Sequence, residues 1–232
     1  MVSRLGAGTP AREDSSGGVG WLGLAGVAGT ALFVLADVLG SLLRPDYSPI
    51  NQTVSDLGIG NNGWLVDASL VVLGLSLTGV AVAFYRTVRP PRSGVLRLTA
   101  TLLLACVGIG YLVAGVFPET QLQYHYTGAA LVFLGALLGF PAAGVLLRRD
   151  SGWHRWGDRS LVASLVLVVL VGVMGYTFSS YTFDSAGLYR SGEWGGLLER
   201  VVFWAILLWF AVAGYLTFRN RTSDRPRHLA QD

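Results

Sequence analysis

Six side chains in this sequence could act together although they lie far apart along it: Asp37, Ser55, Asp56, His125, Glu199 and Arg200. A serine nucleophile, a histidine base and an acid that orients the base make up the catalytic set of a hydrolase. Ser55, His125 and either Asp56 or Glu199 could fill those roles. The Gly-x-Ser-x-Gly elbow is absent, and Ser55-Asp56-Leu57-Gly58 reads equally well as a turn that ends a helix.

Asp37 and Glu199 suggest a second chemistry, because a carboxyl group among apolar neighbours can hold its proton near neutral pH and act as an acid. Aromatic faces stabilise cations, and Tyr111, Phe117, Tyr124, Tyr126, Tyr176, Phe203 and Trp204 fall at the same end of the predicted structure. With Tyr47, Asp67 and Arg200 they form the expected substrate-binding set. A metal-independent, proton-initiated terpene cyclase would need this combination, and the chain has no aspartate-rich diphosphate-metal motif. Small bacterial membrane-bound terpene cyclases are of similar size, an analogy of class only. A zinc site from Asp37, Asp56, His125 and Glu199 has suitable ligand types but only one histidine and no ligand-spacing motif, so neither metal nor cofactor is expected.

These residues need elements to hold them. Of the 232 residues, 52% are hydrophobic and 13% charged, against about 25% charged in a soluble domain, so the chain reads as an integral protein of the cell membrane. A spanning helix needs about 20 apolar residues, and that rule yields six, at 19–43, 64–85, 96–117, 126–147, 160–181 and 195–218. The fold class is all-α, a six-helix transmembrane bundle over 19–218, with a disordered tail over 1–18 and a cytoplasmic tail over 219–232. The first run is longer than a signal-peptide core and lacks a clear cleavage site.

Every basic residue is an arginine. Arg86, Arg89, Arg92 and Arg97, then Arg148, Arg149, Arg155 and Arg159, then Arg219, Arg221, Arg225 and Arg227 cluster after helices two, four and six. By the positive-inside rule those segments and both termini are cytoplasmic. The opposite loops carry only Arg44 and Arg190, together with the polar residues of interest. Nothing resembles a basic, aromatic-interleaved nucleic-acid surface. The single cysteine, Cys106, excludes an intrachain disulfide.

The stretch from Tyr47 to Gly63 concentrates hydroxyls, amides and carboxylates at one membrane boundary. A short interfacial helix after Pro49 would place Ile50, Val54 and Leu57 on one face and Gln52, Ser55 and Asp56 on the other, with Gly58, Gly60 and Gly63 ending it. Ala36 with Gly40, and Gly135 with Gly139, are small-xxx-small pairs suited to close helix packing. Trp21, Trp64, Trp153, Trp156 and Trp194 fall at helix ends, as in an aromatic belt.

Tyr47-Ser48-Pro49, Ser55-Asp56-Leu57-Gly58, Gly115-Val116-Phe117-Pro118, His125 opening helix four, and Gly196-Leu197-Leu198-Glu199-Arg200 opening helix six carry a resemblance to domain-of-unknown-function family 998, small six-helix prokaryotic membrane proteins. It spans approximately residues 20–218. The resemblance implies the six-helix fold and brings no chemistry with it.

The residues therefore leave two classes open and favour the first. It is a membrane-embedded enzyme acting on a lipidic or isoprenoid substrate by carboxylic acid/base chemistry, as a terpene cyclase would, with a Ser/His hydrolase as the alternative within the class. The other is a transporter, lipid-binding or structural membrane protein whose charges pair, for example Asp37 with Arg200 or Arg44. In both, the partner is a membrane lipid or hydrophobic small molecule. Internal repeats and broken midplane helices, the marks of common transporters, are not evident.

Overall fold

The computed structural model describes residues 16–179, 182–183, 189–190 and 193–223. Among them, six helices are long and apolar enough to cross a membrane. They are α1 (Ser16–Leu43), α2 (Gly63–Thr87), α3 (Gly94–Val116), α4 (Leu122–Arg148), α5 (His154–Phe178) and α6 (Gly195–Ser223). The spans agree with the sequence expectation to within a few residues. The larger differences are at α4, which starts four residues early, α5, which is shifted towards the N-terminus, and α6, which runs five residues past 218. The tails expected over 1–18 and 219–232 lie mostly outside the described residues, as do Arg225 and Arg227. Within the 182–194 loop, Thr182–Phe183 pairs antiparallel with Tyr189–Arg190.

Each helix packs on the next, and α6 closes the ring against α1. No hydrophobic force drives one apolar helix onto another in lipid, so close backbone approach takes its place. Gly110 of α3 faces Gly128 of α4, and a Cβ there would lie 2.5 Å from the Gly128 carbonyl oxygen and 2.7 Å from the Val132 nitrogen. Gly135 meets the Leu103 carbonyl and Gly139 the Leu103 side chain, while Gly40 receives Val66 and Leu57 from α2 and its preceding loop. The expected small-residue contacts are therefore present. The core below the polar end is aromatic: Phe140 stacks on Trp209 at 4.4 Å, and the Trp209 indole donates to Ser160 Oγ at 3.0 Å.

Two expectations change. Trp21, Trp64 and Trp194 are exposed as a belt requires, but Trp153 is buried and Trp156 packs in the core beside Trp209. Nor does a helix run from Pro49. Residues 48–54 form turns, and only Ser55–Gly58 makes a 3₁₀ turn. Val54 and Leu57 are buried, whereas Ile50, expected on the same face, is exposed. The segment folds into the mouth of the bundle because its backbone is held by buried side chains of other helices, described below.

Since both atoms facing Gly110 belong to the α4 backbone, neither can yield easily. Gly110→Ala should cost about 1–3 kcal/mol, seen as a lower thermal unfolding midpoint. Gly172→Ala, where a Cβ meets nothing within 4 Å, should leave the midpoint unchanged or slightly raised.

Candidate functional site

Three segments meet at one end of the bundle: the 44–62 connection, the 3₁₀ turn Glu119–Gln121 leading into α4, and the first turns of α6. What joins them is Arg200. Its Nε donates to Asp37 Oδ2 at 3.0 Å and its Nη2 to Asp37 Oδ1 at 2.7 Å, a two-pronged pair buried on both sides. Its Nη1 reaches the carbonyls of Pro49 at 2.9 Å, Gln52 at 3.0 Å and Gly196 at 3.2 Å, and Nη2 also donates to Tyr47 Oη at 2.7 Å. Tyr47 in turn donates to the Thr53 carbonyl at 2.5 Å. Burial pushes the Tyr47 hydroxyl up from its ordinary titration range, against the pull of the Arg200 charge.

The neighbouring Glu199 holds the same loop from its other side, its Oε2 accepting the Val54 N–H at 2.6 Å. Thr53 and Asp56 close a reciprocal cap: Asp56 Oδ2 accepts the Thr53 N–H at 2.9 Å, and Thr53 Oγ1 accepts the Asp56 N–H at 3.2 Å. This is the side-chain exchange of a capping box, with aspartate in place of the usual glutamate. Arg44 donates to the Asp56 carbonyl. Burial raises the Asp56 carboxyl above its usual range, opposed by its hydrogen bonds with Thr53 and by the Arg44 charge.

Between these clamps Ser55 faces the start of α4. Its Oγ lies 2.9 Å from His125 Nε2, while His125 Nδ1 lies 2.9 Å from the Phe117 carbonyl oxygen. A carbonyl can only accept, so a neutral His125 carries its proton on Nδ1 and offers Nε2 as the acceptor for the Ser55 hydroxyl. The orienting group is thus a backbone oxygen. Neither Asp56 nor Glu199, the two expected orienting acids, occupies that position, because one caps the 3₁₀ turn and the other binds Val54.

A cavity of about 330 Å³ opens beside this pair, lined by Thr53, Ser55, Glu119, His125, Tyr126, Ala129, Phe133, Met174, Phe178 and Glu199. A narrower recess of about 40 Å³ shares Ser55, His125, Glu199 and Phe133 and continues to Tyr111 and Phe203. Tyr111 packs edge-on to Phe203 at 5.5 Å and near Phe33 at 6.4 Å. Its hydroxyl is buried without a hydrogen-bond partner, and so is Glu119 Oε2.

The expected site residues therefore divide. Ser55, His125, Glu199, Tyr111, Tyr126 and Phe203 line the cavity or its recess. Asp37, Arg200 and Tyr47 form the buried clamp, and Asp56 caps. Phe117 contributes its carbonyl, and its ring stacks on exposed Tyr124 at 4.8 Å. Asp67 sits over Gly58, where a Cβ would lie 2.6 Å from its Oδ1, away from the cavity lining. Tyr176 and Trp204, 83% and 44% exposed, are also outside the lining. Glu119, which the sequence analysis did not single out, also lines the cavity. A lone acid directly after Phe117-Pro118 and before a histidine-bearing apolar helix was the available signal. Among the described residues, no three His, Cys, Asp or Glu side chains gather as a metal site.

A family model described as "Protein of unknown function (DUF998)" matches residues 27–216. No curated protein and no solved structure matches the chain.

Removing the Asp37 carboxylate would leave a buried guanidinium short of its counter-charge. Asp37→Ala should destabilise the protein by about 3–5 kcal/mol, measured as thermal unfolding in nanodiscs. Asp37→Asn, which keeps one acceptor, should lose less.

Proposed function

This chain belongs to the DUF998 family of proteins of unknown function, and from its own side chains we propose that it is a membrane-embedded Ser/His hydrolase acting on a lipidic ester. The observation that carries the proposal is the Ser55–His125–Phe117 carbonyl relay at 2.9 Å and 2.9 Å beside an apolar cavity. Ser55 Oγ attacks the ester carbonyl carbon while its proton moves to His125 Nε2. The new Oγ–C bond forms, the ester C–O bond breaks, and His125 returns the proton to the departing alkoxide. Water activated by the same imidazole then cleaves the acyl-serine.

The Phe117 carbonyl holds the imidazole in the productive tautomer and, being a dipole, stabilises the imidazolium less than a carboxylate would. The unpartnered Tyr111 hydroxyl, in the recess that Ser55 also lines, would serve as donor to the developing oxyanion. Arginine density at the opposite end supports an outward-facing mouth in the cell membrane. The acyl chain would lie along Phe133, Met174 and Phe178, where α4 and α5 border the cavity.

The aromatic rings of Tyr111, Phe133 and Phe203 in the recess, with Phe33 packed against Tyr111, favour a second reading, acid-initiated cyclisation of an isoprenoid. Asp37 is a poor acid for it, since both its oxygens accept from Arg200. The initiating carboxyl would have to be Glu199 or Glu119. Such a reaction does not need Ser55.

A fluorophosphonate probe should label the folded protein at Ser55, with labelling abolished in Ser55→Ala. His125→Ala should slow labelling by about 10²–10⁴-fold. Unlabelled Ser55 in folded protein overturns the hydrolase, and isoprenoid turnover that survives Ser55→Ala supports the cyclase.

A further inference from the structure

We propose that the substrate carries an ammonium group, and that Glu119 receives it while Ser55 and His125 act on the ester. The inference rests on the hydrolase reading and adds the class of ester.

Three carboxyl groups stand at or near the cavity, and two are already compensated. Glu199 accepts the Val54 N–H and lies beside Arg200, and Asp56 is bonded to Thr53 with Arg44 nearby. Glu119 is different. It is 4% exposed, its Oε2 has no hydrogen-bond partner, and it lines the cavity. Among the described residues no arginine lines the cavity, and Asp56 and Glu199 lie close enough to repel charge on Glu119.

A buried acid without a partner is costly, more so in a membrane-spanning protein, and such a group marks a binding function. A cation from outside the chain would satisfy it. Tyr126, Phe133 and Phe178 supply aromatic surface in the same cavity, the second feature that ammonium recognition uses. A hydroxyl-bearing ester could also donate to Glu119, but it would make no use of the aromatic surface of Tyr126, Phe133 and Phe178 beside it.

The test uses the full chain in nanodiscs of phosphatidylglycerol, which adds no ammonium. The probes are decanoylcholine and its uncharged isostere 3,3-dimethylbutyl decanoate. Hydrolysis releases choline or 3,3-dimethylbutanol, and the acyl group passes through Ser55 to water. The wild type should show kcat/KM about tenfold or more in favour of the choline ester, and this ratio should fall towards one in Glu119→Gln. Choline should compete with substrate and 3,3-dimethylbutanol should not, a comparison in wild type that stands even where the variant fails to fold.

A wild-type ratio near one, or an unchanged ratio in folded Glu119→Gln, overturns the inference and leaves the hydrolase intact. Preference for monodecanoylglycerol over the choline ester also overturns it. Should neither ester turn over, fluorophosphonate labelling of Ser55 decides the hydrolase reading, and calorimetry with decanoylcholine decides the ammonium site alone. Saturable binding lost in Glu119→Gln sustains it, and no binding removes it.

Discussion

The guanidinium of Arg200 is the constraint on which this end of the molecule depends. A buried arginine presents five N–H donors in a fixed plane, and none can be left to hydrocarbon. Asp37 takes two of its prongs, and the carbonyls of Pro49, Gln52 and Gly196 with the Tyr47 hydroxyl take the others. The demand for acceptors therefore dictates where the 47–53 segment runs. It is pulled inward across α1 and α6 because its carbonyls complete the arginine's shell. The backbone contact is close enough that a Cβ at position 196 would collide with the Gln52 carbonyl. Glycine at that position is thus part of the same arrangement.

Ser55 gains its placement from this clamp at one remove. Arg200 fixes the carbonyl of Gln52, adjacent Glu199 fixes the N–H of Val54, and the Thr53–Asp56 exchange closes the turn in which Ser55 sits. The loop is held on both sides of Ser55 by groups that need not take part in chemistry. His125 arrives by an independent route: α3 and α4 approach through Gly110 and Gly128, which brings the end of α3, with the Phe117 carbonyl, over the first turn of α4. Ser55 and His125 are therefore held by two separately packed parts of the bundle, which for the proposed hydrolase would fix their geometry before substrate arrives.

Much of this was legible from residue order alone. Long apolar runs announce helices because the bilayer allows little else, and the odd charges among them were rightly drawn to one end. Pairing of Asp37 with Arg200 was foreseen as one of two alternatives. Rotation of the helices was not legible. In a bundle surrounded by lipid, the outward face is as apolar as the inward one, so hydropathy carries no phase. That is why Tyr176 and Trp204 were grouped with the mouth though they are exposed, and why Trp153 and Trp156 were assigned to an interfacial belt though they pack inward. The orienting group of His125 escaped for another reason. A backbone carbonyl has no letter in the sequence, so a search for acids could only find Asp56 and Glu199.

The buried carboxylates differ in what they cost. Asp37 offsets its desolvation with a bidentate arginine, an arrangement that can come out nearly neutral in free energy, and it needs no ligand to explain it. Glu199 accepts a backbone N–H and stands next to that arginine. Glu119 has neither compensation, although it lies in the same mouth and could have been glutamine or leucine at lower cost to folding. The proposed ammonium site would account for that cost where packing does not. Of the buried polar atoms left without a partner, Glu119 Oε2 belongs to a residue of the wider cavity and the Tyr111 hydroxyl to one of the recess, and Ser55 and His125 line both. In the proposed hydrolase, Glu119 would meet the cationic part of the substrate and Tyr111 the negative charge that develops as Ser55 acts on the ester.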